Sequence, residues 1–141
     1  MSIFGTIFAA KKDMLKKVFT LLFSFLFIFN VFAGDIYESI AIAIKSGNAK
    51  EVTRFLDKTI EITIGDKESA YSKVQAEAIL KDFFSKNTPR DFKLVHKGAS
   101  EGGAKYGIGN YITSNKTYRT YFYIKKVGAQ YLIQELRFEQ E

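Results

Sequence analysis

His96 is the single histidine of a 141-residue chain that has no cysteine, and these two counts bound the chemistry available. No thiolate nucleophile, disulfide or cysteine-based metal site can form. One imidazole cannot supply a two-histidine metal set, so no metal site is expected. As a general base His96 would need an orienting carboxylate within hydrogen-bond reach. The stretch from Phe92 to Gly98 alternates as a strand that puts Phe92, Leu94 and His96 on one face. Continuing that face through the later strands adds Asn110, Thr120 and Gln134 to otherwise apolar residues, and no carboxylate. These three polar groups would order a ligand in an apolar cavity, or form a hydrogen-bonded patch where helices cap the sheet. Tyr106, Tyr118 and Phe122 would line the same cavity or serve as core aromatics. His96 has a second reading too, as a partly buried ring satisfied by a neighbouring hydroxyl or amide. The glycines 102, 103, 107 and 109 lack the helix and Lys-Ser/Thr of a phosphate loop, and read as hairpin and bend.

Those residues share a face only if the strands pair in a particular register. Four period-two runs follow one another, 92–98, 105–113, 117–125 and 130–138. Their connections are of hairpin length, which predicts an antiparallel meander. Requiring apolar residues to share a face pairs Ile112 with Tyr118, Ile108 with Phe122, Ile124 with Leu132 and Tyr118 with Phe138. The outer face then carries Tyr111, Arg119, Tyr121, Tyr123, Lys125, Tyr131, Ile133, Glu135 and Arg137, interrupted by Gly107 and Gly109, which permit a sharp bend. Tyr111, Tyr121, Tyr123, Tyr131 and Ile133 would make an aromatic patch larger than a monomer normally exposes. Mixed with Arg119 it has the composition of an interface core, and a homodimer through it is expected. Carbohydrate stacking, or a surface softened by the stems of Arg119, Lys125 and Arg137, are the rival readings.

Ahead of the meander the period is helical. Asp35 to Ser46 spaces Ile36, Ile40, Ala43 and Ile44 on one stripe and is closed by Gly47. Asn48-x-x-Glu51 opens a short second helix. Thr59 to Ile64 alternates as a half-buried strand, and Gly65-Asp66 turns it. Ser72-x-x-Gln75 is a capping box for a helix burying Ala76, Ile79, Leu80 and Phe83, which Asn87-Thr88-Pro89 stops.

Residues 1–33 read as a signal peptide. Lys16 and Lys17 precede an apolar run, Val18 to Phe32, that is shorter than the ~18 or more residues of a spanning helix, and the small Ala33 follows where a signal peptidase cuts. The alternative is an uncleaved anchor accommodated by tilt or local thinning. Residues 1–13 are a long charged leader or reflect a start assigned upstream of Met14. Cleavage after Ala33 would leave a single domain, 34–141, periplasmic or secreted, with no stable membrane insertion. The net charge of +6 overstates its basicity. Residues 1–33 hold four of the 21 basic and one of the 15 acidic residues, which leaves 17 against 14 and a charge of +3. That excludes a nucleic-acid footprint, which needs a clustered basic face.

Two helices, a strand, a longer helix and a bent antiparallel meander resemble the α+β cone of nuclear transport factor two and ketosteroid isomerase. "DIYESIAIAIKSGNAKEVTRFLDKTIEITI", "YSKVQAEAILKDFF" and "YLIQELRFE" resemble, more narrowly, a family of short exported bacterial proteins known as a domain of unknown function and placed in that superfamily. The resemblance implies N-terminal helices packed on a strongly bent sheet, export and a cone interior, and transfers no catalytic residue. The superfamily's enzymes move protons with an Asp base, an Asp/Tyr oxyanion pair or a His–Asp dyad. The expectation is therefore an exported, non-enzymatic module, without cofactor, that binds a small apolar ligand or a peptide. The alternative is an isomerase- or dehydratase-like enzyme with His96 as acid/base.

Overall fold

The computed structural model describes residues 3–25 and 34–141. The chain separates into two units, Met1–Ala33 and Gly34–Glu141. In the first, Ile3–Phe25 is a helix, α1. Among the described residues no helix is long and apolar enough to cross a membrane. The end of the apolar run and Ala33, where cleavage is expected, lie outside the described residues.

The second unit begins with α2, Ile36–Lys45, whose first turn is capped by the Asp35 carboxylate accepting from the Tyr37 N–H at 3.1 Å. Gly47 ends it at φ 64°, and a Cβ there would meet the Pro89 ring at 2.9 Å, so both conformation and space require glycine. Asn48 caps the short α3, Ala49–Thr53. Strand β1, Leu56–Ile64, turns at Gly65 into β2, Lys67–Ser72. Helix α4, Lys73–Lys86, opens on the complete Ser72/Gln75 capping box. Strands β3 (Asp91–Ala99), β4 (Lys105–Ile112), β5 (Thr117–Val127) and β6 (Gln130–Gln140) follow.

The six strands form one curved sheet in the order β2-β1-β6-β5-β4-β3. The meander is antiparallel as expected. Strand β1 joins β6 in parallel, so the whole sheet is mixed. One face is covered by the helices. Ile40, Ile44, Val52, Leu80, Phe83 and Phe84 pack there on Ile60, Ile62, Tyr118, Phe122, Leu136 and Phe138, all nearly or fully buried. Each such side chain contributes about 1.5–3 kcal/mol relative to exposure. Phe83 is the hub, with the rings of Phe138, Tyr118, Tyr111 and Phe84 at centroid distances of 4.5, 5.3, 5.6 and 5.8 Å.

Three local features overturn the expected faces. Strand β4 is turned over: it pairs Ile112 with Thr117 and Ile108 with Tyr121, one residue from the expected register. A one-residue slip moves every side chain to the other face. Thr113 fixes this turn, its hydroxyl accepting from the Lys116 N–H at 3.0 Å and its own N–H donating to the Lys116 carbonyl at 2.9 Å. Gly107, Gly109 and Tyr111 thus face the helices, and Tyr106, Ile108 and Asn110 face away. The glycines make room for rings: a Cβ on Gly107 would lie 2.2 Å from Phe122 Cζ, and one on Gly109 2.4 Å from Phe92 Cζ. In β3 the register shifts between Leu94, opposite Gly109, and His96, opposite Ile108, which turns His96 away from the core. In β6 it shifts at Gln134, where Tyr123 pairs with Glu135 but Ile124 with Ile133, so Ile133 is buried. Beyond that bulge Thr120 pairs with Phe138, two residues from expectation and hence on the expected face.

Candidate functional site

The polar cluster expected inside the sheet does not assemble. Thr120 faces the helices and is fully buried, its hydroxyl making one long hydrogen bond, 3.5 Å, to the Tyr118 carbonyl. Asn110 is on the opposite face, between Lys93 and Arg119. Gln134, at the bulge, donates from Nε2 to Asp57 Oδ2 at 2.7 Å. The Asp57 carboxyl is held below its usual range by the Lys58 backbone N–H and then by Gln134. Phe122 and Tyr118 are buried in the core, whereas Tyr106 and His96 lie together on the uncovered face. His96 Nε2 is 3.3 Å from the Tyr106 hydroxyl, and among the described residues no carboxylate hydrogen bonds to the imidazole. No group of three or more His, Asp or Glu among them is placed to hold a metal.

The centre of the helix-covered face is filled by packed rings. Asn87, the C-cap of α4, receives two phenols: Tyr118 donates to its Oδ1 at 2.7 Å and Tyr111 to its backbone carbonyl at 2.5 Å. Its own Nδ2 donates to the Phe83 carbonyl at 3.1 Å. Burial, with a smaller push from Tyr118, holds the Tyr111 phenol well above its ordinary pKa. Both tyrosine hydroxyls donate to Asn87 and clamp α4 to the sheet. Nothing in the sequence near Asn87 beyond its helix-stop position signals that role.

The uncovered face is where exposed chemistry gathers. Cross-strand pairing sets two rows over it, Glu68–Thr63–Arg137–Tyr121–Ile108–His96 and Ala70–Glu61–Glu135–Tyr123–Tyr106–Gly98. Within Gly34–Glu141 no helix packs on them. Tyr106 and Tyr121 stack at 6.2 Å, Arg137 lies 6.0 Å over the Tyr121 ring and Lys125 Nζ 5.6 Å over that of Tyr123. Arg137 hydrogen bonds to Glu135. Glu68, ahead of Glu135, pushes the Glu61 carboxyl up, and burial, then Glu135, pushes the Tyr121 phenol up. Acid thus concentrates on β1, β2 and β6, with Lys93 and Arg119 towards the other edge.

Of the residues expected at an interface, Arg119, Tyr121 and Tyr123 are on this face. Tyr111 and Ile133 are fully buried in the core. Tyr131 follows the register of Ile133 onto the helix side, where Lys105 Nζ lies 4.4 Å over its ring. Tyr106 and Ile108, which alternation scored by hydrophobicity alone assigned to the core, take their places on the uncovered face, half-buried.

A family model described as "Domain of unknown function (DUF4783)" matches residues 37–139. A DUF4783 family protein from Bacteroides uniformis is 26% identical, with a TM-score of 0.71, over 76% of this chain and 98% of its own. The matched region accounts for nearly all of that relative's chain, which folds without further segments. Two more distant structures share the fold alone. A domain with a cystatin-like fold from Nostoc punctiforme is 8% identical over 74% of this chain and 72% of its own, TM-score 0.58. A protein named "Rd1NTF2_04 with long sheet" is 14% identical over 72% of this chain and 94% of its own, TM-score 0.55. No curated protein matches the sequence.

Proposed function

The chain belongs to the DUF4783 family, and from that premise we propose that it is an exported, non-enzymatic binding module of the nuclear transport factor two-like superfamily which works through the uncovered face of its sheet. The observation that carries this reading is the half-buried stripe of Tyr106, Tyr121, Tyr123 and Ile108, with Tyr106 stacked on Tyr121, on a face that no helix of the domain covers. Large contiguous exposed apolar patches mark interaction sites, and Tyr with Arg is the composition of interface cores. Among the described residues no carboxylate orients His96, so no observation favours the acid/base alternative.

The partner on that face is a second copy. A two-fold axis running along the strands between β5 and β6 lays the β1–β2 edge of one sheet over the β3 edge of the other. Glu139 of one copy then approaches Arg119 of the other, Arg137 approaches Tyr121, and Glu68 approaches His96. The face is self-complementary in the sense that an isologous interface requires. Export follows from residues 14–33: Lys16-Lys17, the apolar run and Ala33. Protein purified from its native envelope should begin at Gly34 by mass spectrometry and run as a dimer by light scattering. Tyr121→Ala with Tyr123→Ala should give a monomer of unchanged circular dichroism, since central aromatic anchors are worth about 2 kcal/mol or more. A retained 1–33 segment would rule out export as stated. A parent that is already monomeric at high micromolar concentration would rule out self-association, leaving a heterologous partner or a glycan to account for the tyrosines.

A further inference from the structure

The core is left open at one edge of the sheet. Ile64, Tyr71 and Ile79 are only partly buried, and all three line a pocket of 330 Å³ between α4 and the β1–β2 hairpin. Ile62 and Phe83, 1% and 4% exposed, also line it, with Lys67, Asp82, Lys86 and Asn87. This volume is at the lower end of the range for small-molecule sites, and the mixture of apolar walls with a few polar groups is their usual composition. A larger groove, 640 Å³, lies between the α2–α3 turn and α4 and is lined by Asn48, Lys50, Glu77, Lys81, Phe84 and Pro89 among others.

The polar groups at the smaller pocket are unequally committed. Asp82 is paired with Lys86 at 2.8 Å. Asn87 already accepts the two tyrosine phenols and donates to Phe83. The Lys67 ammonium and the Tyr71 phenol have no hydrogen bond or ion pair among the described residues. The strand pairing brings them to this side: Lys67 is opposite Ile64 and Tyr71 opposite Ile60, both on the helix-covered face, whereas Glu68 and Ala70 fall on the other. The hairpin thus sends its lysine to the pocket and its acid away from it. With Asp82 and Lys86 paired to each other, the uncompensated charge at the pocket is the Lys67 ammonium, a donor only, next to the Tyr71 phenol, which can also donate, beside an aliphatic and aromatic wall.

We propose that this pocket binds an amphiphilic monocarboxylate, a medium-chain fatty acid or a molecule of the same chemistry. The chain lies on Ile62, Ile64, Ile79 and Phe83, and the carboxylate is held by Lys67 and Tyr71. A cationic or neutral amphiphile would leave Lys67 unpaired, and a small hydrophilic anion would leave the apolar wall in water. The pocket is on the helix side of the sheet, so its lining residues are distinct from those of the uncovered face.

The test is a titration of the isotopically labelled 34–141 domain with decanoate, held below micelle-forming concentrations and followed by amide chemical shifts. Saturable shifts are expected at Ile64, Lys67, Tyr71 and Ile79. Decyltrimethylammonium, which has the same chain and the opposite charge, should bind at least about tenfold more weakly, the scale of one charge-assisted hydrogen bond. Butyrate should not saturate. Lys67→Glu should weaken decanoate about tenfold and strengthen decyltrimethylammonium, and Lys67→Gln should weaken the first without strengthening the second. The proposal is overturned if decanoate produces no saturable shifts, or shifts centred elsewhere, or if the cation binds as tightly as the anion. Unchanged decanoate affinity in both Lys67 variants would also overturn it. The anion and cation comparison on the unmutated domain decides the matter even if a variant folds poorly.

Discussion

Replacing Gly107 by alanine tests the inverted face of β4 directly. The added Cβ would stand 2.2 Å from Phe122 Cζ and 2.7 Å from both Cε atoms. Carbon atoms pack best at about 3.5–4.0 Å, so the ring must withdraw by more than about 1 Å. Phe122 has no exposed surface, and the Tyr37 ring lies 6.5 Å away, so the displaced ring must push on packed neighbours. Overfilling a core by a methyl costs about 1–3 kcal/mol. Against this, Gly107 does not have a positive φ, so alanine fits the backbone and gains about 0.4–1 kcal/mol by restricting the unfolded chain. The net expectation is a loss of about 1–2 kcal/mol, or a Tm lower by about 5–10 °C for a domain of this size. Urea and thermal denaturation of 34–141 would measure it. Phe122→Leu removes the three clashing atoms, so the double variant should lose at least about 1 kcal/mol less than the sum of the single losses. A neutral or stabilised Gly107→Ala would refute the reasoning, since that is how a solvent-facing glycine in a strand behaves. Strict additivity in the cycle would refute the assignment of the clash to Phe122.

The Asn87 clamp predicts an asymmetry. Tyr118→Phe should cost about 1 kcal/mol in urea denaturation, whereas Asn87→Ala, which leaves the buried Tyr118 phenol without its acceptor, should cost about 1–3 kcal/mol; equal losses would argue against the hydrogen bond. Thr120→Val should leave stability within about 1 kcal/mol, because the hydroxyl makes only one bond of 3.5 Å. It should also leave decanoate binding unchanged, since Thr120 is not among the pocket residues.

The helices were legible because their signals are local. Ser72 with Gln75, and Asn48, each satisfy backbone groups within their own turns, and Gly47 supplies the positive φ that ends α2. The faces of the strands depended on volume and on bulges, which alternation of hydrophobicity does not encode. In "KYGIGNYI" Tyr106, Ile108 and Ile112 form the apolar series, yet the glycines between them go inward because Phe122 and Phe92 need the space. The shifts after Leu94 and at Gln134 carry no Gly or Pro to announce them. Strand β2, "KESAYS", has one half-buried residue, Tyr71, and hence no period to read. From Tyr118 to Lys125 strand β5 alternates buried residues with half-buried or exposed ones, which is why Tyr121, Tyr123 and Arg119 could be placed on the uncovered face from sequence.

The inverted β4 also determines where a ligand can go. With Gly107 and Gly109 facing the helices, the rings of Phe122 and Phe92 sit against that strand, while Phe83 and Phe84 of α4 close on Tyr111, Tyr118 and Phe138. The centre of the covered face is therefore packed aromatic to aromatic, and a molecule entering it would have to displace rings that contribute several kcal/mol of burial. At the β1–β2 edge the same helix meets Ile64, Ile79 and Tyr71, which are only partly buried, so contact there displaces water rather than protein. The energetic difference between the two places follows from side-chain volume alone. It shifts small-molecule recognition from the middle of the sheet to its edge, and leaves the opposite face, with its stacked tyrosines, to larger partners.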